Sequence, residues 1–178
     1  FVRGGRTFAN LARMSSLGLP VISVVNGSST AGGAYQVGLA DYTVMVRKRS
    51  KVFLAGPPLL RAATGEIAVD EELGGAEMHS AVTGVGDYLV EDDADAIRVA
   101  RELVAKLGWD RPAPAAGKPP RYDAEELLGI VPPDYRKPYD CREVIARIVD
   151  DSDFLEFKAD YGPATICGHA AIEGMPIG

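Results

Sequence analysis

The chain has 178 residues, of which 47% are hydrophobic and 25% charged, so it can bury a core without a disulfide or a metal. Its formal net charge of −6 lacks the basic character that nucleic-acid-binding surfaces need. No apolar run approaches the length of a membrane span, and no signal-peptide pattern opens the sequence. We therefore expect a cytoplasmic protein that binds neither nucleic acid nor membrane.

The first part of the sequence alternates between helical and strand patterns. Residues 1–17 keep a helical spacing without an initiating Met, which predicts a fragment whose first helix is already under way. After Pro20, three β-branched runs predict buried strands, at Val21–Val25, Tyr42–Val46 and Val52–Ala55. A Gly-rich connection joins the first strand to a predicted helix. This order of elements is typical of an α/β fold.

The middle of the sequence is less regular. Residues 56–90 show only a short helical pattern through Ala63, and we expect an irregular segment there. Residues 92–107 then predict a long helix, with acidic residues in its first turn, where the helix dipole favours them. Its predicted buried face consists of Ile97, Ala100, Leu103, Val104 and Leu107. The Pro/Ala-rich residues 108–120 can bury little surface and indicate a linker.

Order resumes at residues 124–130 and continues to the end of the sequence. Asp140 and Glu143 form a variant of the capping box in front of a predicted helix at residues 141–149. Alternating patterns then predict two strands and a turn, at residues 154–157, 165–172 and 173–176.

The cysteines and histidines offer little chemistry. Cys141 and Cys167 match no metal-binding or redox spacing, which predicts inert, space-filling thiols in a reducing compartment. His79 and His169 are the only histidines, so an ordinary triad or metal site would need both. The sequence has no P-loop, nucleophile elbow or zinc-binding helix motif. We expect no metal in this chain.

The connection Ala31-Gly32-Gly33-Ala34 is the best candidate for a chemical site. Where a strand turns into a helix, successive N–H groups lack intrahelical partners and point toward one spot, and the helix dipole adds positive charge. Such a spot attracts an oxyanion. The alternative is that the glycines only allow close packing of the helix on the strand, and the local pattern leaves both explanations open.

Charged residues offer two further hypotheses. Glu66 or Glu71 could act as a general base beside a thioester, although an acidic run such as that between residues 66 and 95 is usually a solvated face. A basic run could meet phosphates, or it could simply form a surface loop; it consists of Arg47, Lys48, Arg49 and Lys51.

Several ordered motifs resemble one family. Residues 24–35, followed by residues 40–46, resemble the oxyanion-hole turn of the crotonase superfamily. Four further stretches resemble the carboxyltransferase (beta) subunit of biotin-dependent acyl-CoA carboxylases, at residues 53–59, 62–66, 72–76 and 140–150. Within that family, the first two of these stretches favour the methylcrotonyl-CoA and geranyl-CoA carboxylase branch. Ser29 stands where that branch usually has Cys, and Gln36-Val37 replaces the usual Val-Pro.

The resemblance implies a crotonase-like β-β-α superhelix (the ClpP/crotonase fold), with the chain a fragment that spans two such domains. Residues 1–110 would form the later part of the first domain, which binds acyl-CoA. Residues 111–139 would be a linker. Residues 140–178 would open the second domain, which receives carboxybiotin.

The resemblance also implies a chemistry and a set of site residues. Backbone N–H groups of Gly32, Gly33 and Ala34 would form the oxyanion hole, and the base would be the biotin ring nitrogen. Further acyl-CoA contacts would come from Ser29, Thr30, Ala31, Tyr35, Gly74, Gly75 and Ala76. Biotin would arrive on a biotin carboxyl carrier subunit, loaded by biotin carboxylase. The implied assembly is a hexamer, a trimer of dimers. An enoyl-CoA hydratase with a Glu base and a non-catalytic CoA-binding module remain the alternatives.

Overall fold

The computed structural model describes residues 2–107 and 116–178, which fall into two compact units. Unit 1 contains the residues up to Glu102 together with Asp160–Gly162. Unit 2 contains the described residues from Leu103 to Ala159, together with Pro163–Gly178. The predicted domain boundaries at residues 110 and 140 stay a prediction, and residues 108–115 of the predicted linker lie outside the described residues.

Unit 1 is an α/β arrangement in which short strands alternate with helices. Its elements up to the fourth strand are α1 (Val2–Ser16), β1 (Ile22–Val25), β2 (Ser28–Thr30), α2 (Gly32–Gly38), β3 (Tyr42–Val46) and β4 (Lys51–Phe53). The later elements are α3 (Pro57–Thr64), α4 (Asp70–Gly74), α5 (Ala76–Met78), a π-helix (His79–Thr83), β5 (Tyr88–Val90) and α6 (Asp93–Lys106), which continues into unit 2.

The strands of unit 1 form two parallel sheets. One has the order β1-β3-β5, and the other pairs β2 with β4. The central strand β3 is a continuous run of β-branched and apolar residues because parallel strands are buried on both faces. Val44, Met45 and Val46 have no exposed surface, and burying each such side chain contributes about 1.5–3 kcal/mol.

A buried serine ties the two longer strands together at the end that leads into the Gly-rich connection. The fully buried Ser50 hydroxyl donates to the carbonyl of Val25, the last residue of β1. The same oxygen accepts the N–H of Val46, the last residue of β3, at 2.6 Å. The position at which the chain leaves β1 is therefore fixed from within the core.

Two predictions for unit 1 were wrong. Strand β2 lies inside the stretch that the sequence predicts as a simple turn, because its polar residues pair with β4, with Ser29 opposite Val52. Residues 56–90 are not irregular, since α3, α4, α5, the π-helix and β5 occupy most of them.

Helix α6 is confirmed, but its buried face is rotated from the predicted one. Ala96 and Val99 are buried, together with the correctly predicted Leu103. Ile97 and Val104, predicted to be buried, are 54% and 47% exposed. Two of these three buried side chains, Ala96 and Val99, are smaller than the exposed Ile97, so the apolar pattern alone does not show which side of the helix is buried.

Unit 2 is smaller and combines short helices with an antiparallel sheet. Its elements after α6 are a 3₁₀ turn (Ala124–Glu126), α7 (Leu127–Ile130), α8 (Cys141–Ile145), a second 3₁₀ turn (Asp150–Ser152), β6 (Leu155–Phe157), β7 (Cys167–Ile172) and β8 (Met175–Ile177). The strand order is β6-β7-β8. The predicted turn at residues 173–176 is shorter than expected, because β8 already begins at Met175.

The predicted cap of α8 is half correct. The Asp140 carboxylate accepts the N–H of Arg142 at 2.9 Å, as the sequence indicates. The Glu143 carboxylate does not close a capping box but forms an ion pair with Arg147 at 2.8 Å. Arg147 also contacts Glu126 at 2.6 Å, and its guanidinium lies over the Tyr122 ring. The helix ends at Ile145, four residues earlier than predicted.

The cysteines differ from the prediction. Cys141 and Cys167 are free thiols, but both are exposed rather than space-filling. Separately, within residues 2–107 and 116–178, no helix has the length and apolar character needed to cross a membrane.

His169 of β7 should make the stability of the protein depend on pH. Burial, and then the positive charge of Lys106, lower the pKa of His169 below its ordinary value of 6.5. The folded chain therefore binds fewer protons at this site than the unfolded chain, so stability should fall as the pH drops through about 6.5. We expect His169→Gln to reduce the loss of unfolding temperature between about pH 7.5 and pH 5.5. An unchanged pH dependence in the variant would contradict this assignment.

Candidate functional site

The Gly-rich connection turns sharply between β2 and α2. Ala31, the residue before the helix, has φ 48° and ψ −113°, a conformation that costs a non-glycine residue about 1–3 kcal/mol. Two hydrogen bonds hold it there. Its N–H donates to the Phe53 carbonyl of β4 at 3.3 Å, and its carbonyl accepts the N–H of Tyr35 at 3.2 Å. Pairing of β2 with β4 therefore imposes the conformation of the turn.

The amides after Ala31 remain available. The N–H groups of Gly32, Gly33 and Ala34 donate to no oxygen within the described residues. Gly32 is exposed, Gly33 is half-buried and Ala34 is buried, so the three amides lead from the surface inward. The predicted arrangement of successive N–H groups at the start of a helix is present.

A cavity of about 270 Å³ lies beside this turn. Residues 23–29 form one wall, and Gly33, Gln36 and Val37 form the other. A Cβ placed on Gly33 would lie 2.9 Å from the Ser29 Oγ, so a side chain there would enter the space between the walls. Of the predicted site residues, the cavity brings together Ser29 and Gly33.

The other predicted acyl-CoA contacts of the turn lie on its outer side. Thr30 and Ala31 are exposed, and Tyr35 is 57% exposed. The Tyr35 ring meets Phe8 of α1 edge to face, with the ring centroids 6.3 Å apart. Phe8 also reaches to 3.8 Å from the position of a Cβ on Gly32. An aromatic pair thus borders the exposed end of the three amides.

The second Gly-Gly-Ala triplet has a packing role. Gly74, Gly75 and Ala76 are all buried, and none of them lines the cavity beside Gly33. A Cβ on Gly74 would lie 2.3 Å from the Val52 carbonyl, and one on Gly75 would lie 2.5 Å from the Glu71 carbonyl. Both glycines are needed for close backbone approach. Their predicted contact with acyl-CoA stays a prediction.

The two candidate Glu bases lie away from the cavity lining. Glu71 contacts Lys51 at 3.2 Å, beside Asp70 at 2.7 Å. The hydrogen bonds that Lys51 donates to Asp70 and then to Glu71 raise the pKa of Lys51, and the bond to Lys51 lowers the pKa of Asp70. Glu66 is exposed just after α3. The structure therefore gives Glu71 an ion-pair partner and Glu66 a place on the surface.

The basic run is engaged with carboxylates. Arg47 contacts Glu91 at 3.0 Å, and Arg49 contacts Asp93 at 2.8 Å. Together with the Lys51 pairs, these contacts favour the surface-loop explanation over phosphate binding. They also show that the acidic residues between 66 and 95 are in part ion-pair partners, not only a solvated face.

Sequence reasoning missed the structural importance of His79. The side chain is buried, with its Nε2 2.7 Å from the Val52 carbonyl and its Nδ1 2.8 Å from the Thr83 Oγ1. As a single histidine without a spacing motif, it suggests only triad or metal chemistry from the sequence. The sequence signal that could have indicated this structural role is the position of His79 shortly after the second Gly-Gly-Ala triplet.

Known proteins match this chain along its whole length. The family described as carboxyl transferase domain matches residues 2–178. The chain is 56% identical to the probable biotin-dependent acyl-coenzyme A carboxylase beta2 subunit of Mycobacterium tuberculosis (strain ATCC 25618 / H37Rv), an alignment that covers 100% of this chain and 34% of that protein.

Two solved structures are similar. The beta subunit of geranyl-CoA carboxylase from P. aeruginosa is 56% identical, with a TM-score of 0.57 over 99% of this chain and 33% of its own. The transcarboxylase 12S structure, described with its hexamer assembly and bound hydrolysed methylmalonyl-coenzyme A, is 34% identical. Its TM-score is 0.79 over 89% of this chain and 32% of its own.

The chain spans about a third of the length of these relatives. Their folds confirm the predicted α/β fold of the crotonase type, whereas the span of two such domains stays a prediction. Because one family accounts for residues 2–178 and its high-identity relatives are beta subunits of acyl-CoA carboxylases, the chain belongs to the carboxyl transferase domain family.

Proposed function

We propose that this chain takes part in moving a carboxyl group from carboxybiotin to the alpha or vinylogous carbon of an acyl-CoA. The observation that carries the proposal is the set of N–H groups at Gly32, Gly33 and Ala34 that find no acceptor among the described residues. Gly33 lines a cavity, and the chain belongs to the carboxyl transferase domain family.

The turn suits an enolate because its donors are fixed before the charge forms. Removing a proton next to a thioester carbonyl puts negative charge on the carbonyl oxygen. Donors placed for that charge act mainly on the transition state, and each contributes about 3 kcal/mol. The strain at Ala31 supports such a role, since strained backbone is retained where the surrounding structure holds it for a function. The amides of Gly32, Gly33 and Ala34 would donate to this oxygen.

The lining of the cavity fits a reaction whose base comes from outside this chain. Residues 23–29, Gly33, Gln36 and Val37 include no carboxylate, imidazole, amine or thiol. Carboxybiotin, carried to the site as a substrate on a carrier protein, would supply the carboxyl group and the ring nitrogen that accepts the proton. The protein would then contribute binding, orientation and the hydrogen bonds to the thioester oxygen.

The remaining predictions for substrate and partners form part of the same proposal. Acyl-CoA would also contact Ser29, Thr30, Ala31, Tyr35, Gly74, Gly75 and Ala76. Residues 140–178 would lie on the carboxybiotin side. The partners would be biotin carboxylase and biotin carboxyl carrier subunits, and the assembly a trimer of dimers. The hexamer assembly described for the similar transcarboxylase 12S supports that arrangement.

The proposal also covers the acyl group of the substrate and the cellular location of the reaction. The branch that handles methylcrotonyl-CoA or geranyl-CoA is the expected one, supported by the 56% identity to the geranyl-CoA carboxylase beta subunit. The free thiols of Cys141 and Cys167 agree with the reducing conditions of the cytoplasm, where we place the reaction.

A transfer assay tests the proposal. The protein is incubated with a carrier that holds labelled carboxybiotin and with a panel of acyl-CoA thioesters, and the label in the acyl-CoA is measured. We expect transfer to at least one branched or isoprenoid enoyl-CoA. Transfer to none of the panel would contradict the proposal. Biotin-independent hydration of an enoyl-CoA that Glu66→Gln or Glu71→Gln abolishes would indicate a hydratase instead. Acyl-CoA binding without turnover would indicate a non-catalytic module.

A further inference from the structure

The buried imidazole of His79 makes a hydrogen bond of fixed direction. The Val52 carbonyl can only accept, so the Nε2 that lies 2.7 Å away must carry the proton. The other ring nitrogen, Nδ1, lies 2.8 Å from the Thr83 Oγ1, and the Thr83 hydroxyl donates to the His79 carbonyl at 3.3 Å. Both ring nitrogens therefore have partners. The residue opens a π-helix, a local distortion that is frequent at functional sites.

The carbonyl that His79 binds lies on the edge of β4 that faces away from β2. Along a strand, successive carbonyls point to opposite sides. The Phe53 carbonyl accepts the N–H of Ala31, at the β2 side. The Val52 carbonyl therefore points to the other side, where Gly74 packs against it and His79 supplies the donor. The His79 side chain and a backbone bridge between Lys51 and Gly75 thus hold β4 on this side.

Strand β4 connects His79 to the Gly32 turn. Its residue Val52 pairs with Ser29 of β2, and the next residue, Phe53, holds Ala31 in its strained conformation. A shift of β4 would release Ala31, and the amides that follow would move with it. Fixing β4 on its outer edge is therefore a condition for keeping the turn.

We propose that His79 is a positioning residue for the Gly32 turn: by donating Nε2–H to Val52 it fixes β4, which keeps the Gly32 and Gly33 amides directed at the substrate oxygen. The inference rests on the proposed carboxyl transfer, because only that reaction gives the direction of these amides a kinetic meaning. His79 is not one of the residues that line the cavity, so it acts through β4.

The test compares variants that remove or keep the donor. His79→Leu removes the hydrogen bond to Val52, whereas His79→Gln places an amide N–H near the position of Nε2. Thr83→Val removes the hydroxyl that lies beside Nδ1, at an exposed position. Val82→Ala, on the same π-helix and 70% exposed, is the matched control.

Two measurements test separately whether His79 stabilises the Gly32 turn and whether it affects the proposed reaction. Hydrogen–deuterium exchange of the intact protein reports the peptide at residues 28–38 without any substrate. We expect faster exchange there in His79→Leu, a smaller change in Thr83→Val, and wild-type behaviour in His79→Gln and Val82→Ala. In the transfer assay, kcat of His79→Leu should fall about 10- to 100-fold, as for small misplacements of catalytic groups, with KM changed less than about twofold. His79→Gln should restore most of kcat.

Each outcome has a clear meaning. Unchanged exchange in both His79→Leu and Thr83→Val overturns the inference, and so does wild-type kcat in His79→Leu. If His79→Leu does not fold, the inference stands or falls on Thr83→Val: a lower kcat at constant KM supports it, and wild-type kcat overturns it. If the wild-type protein transfers no carboxyl group to any acyl-CoA, the proposed function fails and the positioning role falls with it, whatever the exchange data show.

Discussion

Gly33→Val is expected to lower carboxyl transfer by about 10²- to 10³-fold, the loss typical of removing one oxyanion donor. Gly33 is the residue of the turn that lines the 270 Å³ cavity. A branched side chain there would project between the two walls and displace a thioester oxygen from the Gly33 amide. The Ser29 hydroxyl, 2.9 Å from the new Cβ, can rotate away, so the fold should survive. Initial rates with labelled carboxybiotin measure the effect.

The control for this experiment is Gly38→Val at the other end of α2. A Cβ on Gly38 meets nothing within 4 Å, so this variant tests valine in the same helix without touching the cavity. We expect activity within about threefold of wild type, since exposed helix substitutions of this kind change stability by less than about 1 kcal/mol. Circular dichroism and size-exclusion chromatography should show both variants folded and assembled. A Gly33→Val protein that transfers normally would remove the turn from the mechanism.

Gly74→Ala is expected to destabilise unit 1 by about 3 kcal/mol or more, at or above the upper end of ordinary overpacking. The new Cβ would lie 2.3 Å from the Val52 carbonyl and 2.8 Å from the Phe53 ring. The first contact is to backbone, which cannot rotate away. Relief requires moving β4 or the end of α4. Denaturant unfolding followed by circular dichroism measures the loss as a lower midpoint.

The companion variant is Gly5→Ala in α1, where a Cβ meets nothing within 4 Å. It should be neutral or stabilising by up to about 1 kcal/mol because alanine favours the helix. The pair also tests the predicted substrate role of the second Gly-Gly-Ala triplet. A Gly74→Ala protein that keeps its unfolding midpoint but binds acyl-CoA more weakly would favour substrate contact over packing.

The sequence predicts well those parts of the fold whose own residues carry a clear pattern. Strand β3 is a continuous apolar run, and its predicted ends at Tyr42 and Val46 are correct. Strand β2 could not be recognised, because Ser28-Ser29-Thr30 is a polar run whose extended form depends on pairing with β4. Helix α4 begins with the acidic residues that the sequence shows, but its place follows from Gly74 seating on Val52.

The sequence indicates the amides of the candidate site but not the contacts that hold the turn in place. The glycine doublet after a strand indicates unpaired N–H groups, and those of Gly32 and Gly33 find no acceptor in the described part of the chain. Nothing in the local sequence links these residues to His79, which lies more than forty positions later and acts through the edge of β4. Such a link depends on which strands are neighbours, and strand order is a property of the folded chain.

The strained backbone at Ala31 has a consequence for how the protein would fail. Ala31 would leave this conformation if it lost its hydrogen bond to β4. Moderate heat or denaturant should break this contact before the β1-β3-β5 sheet unfolds, because local openings cost less than global unfolding. Catalysis would then be lost at conditions where spectra still report a folded protein.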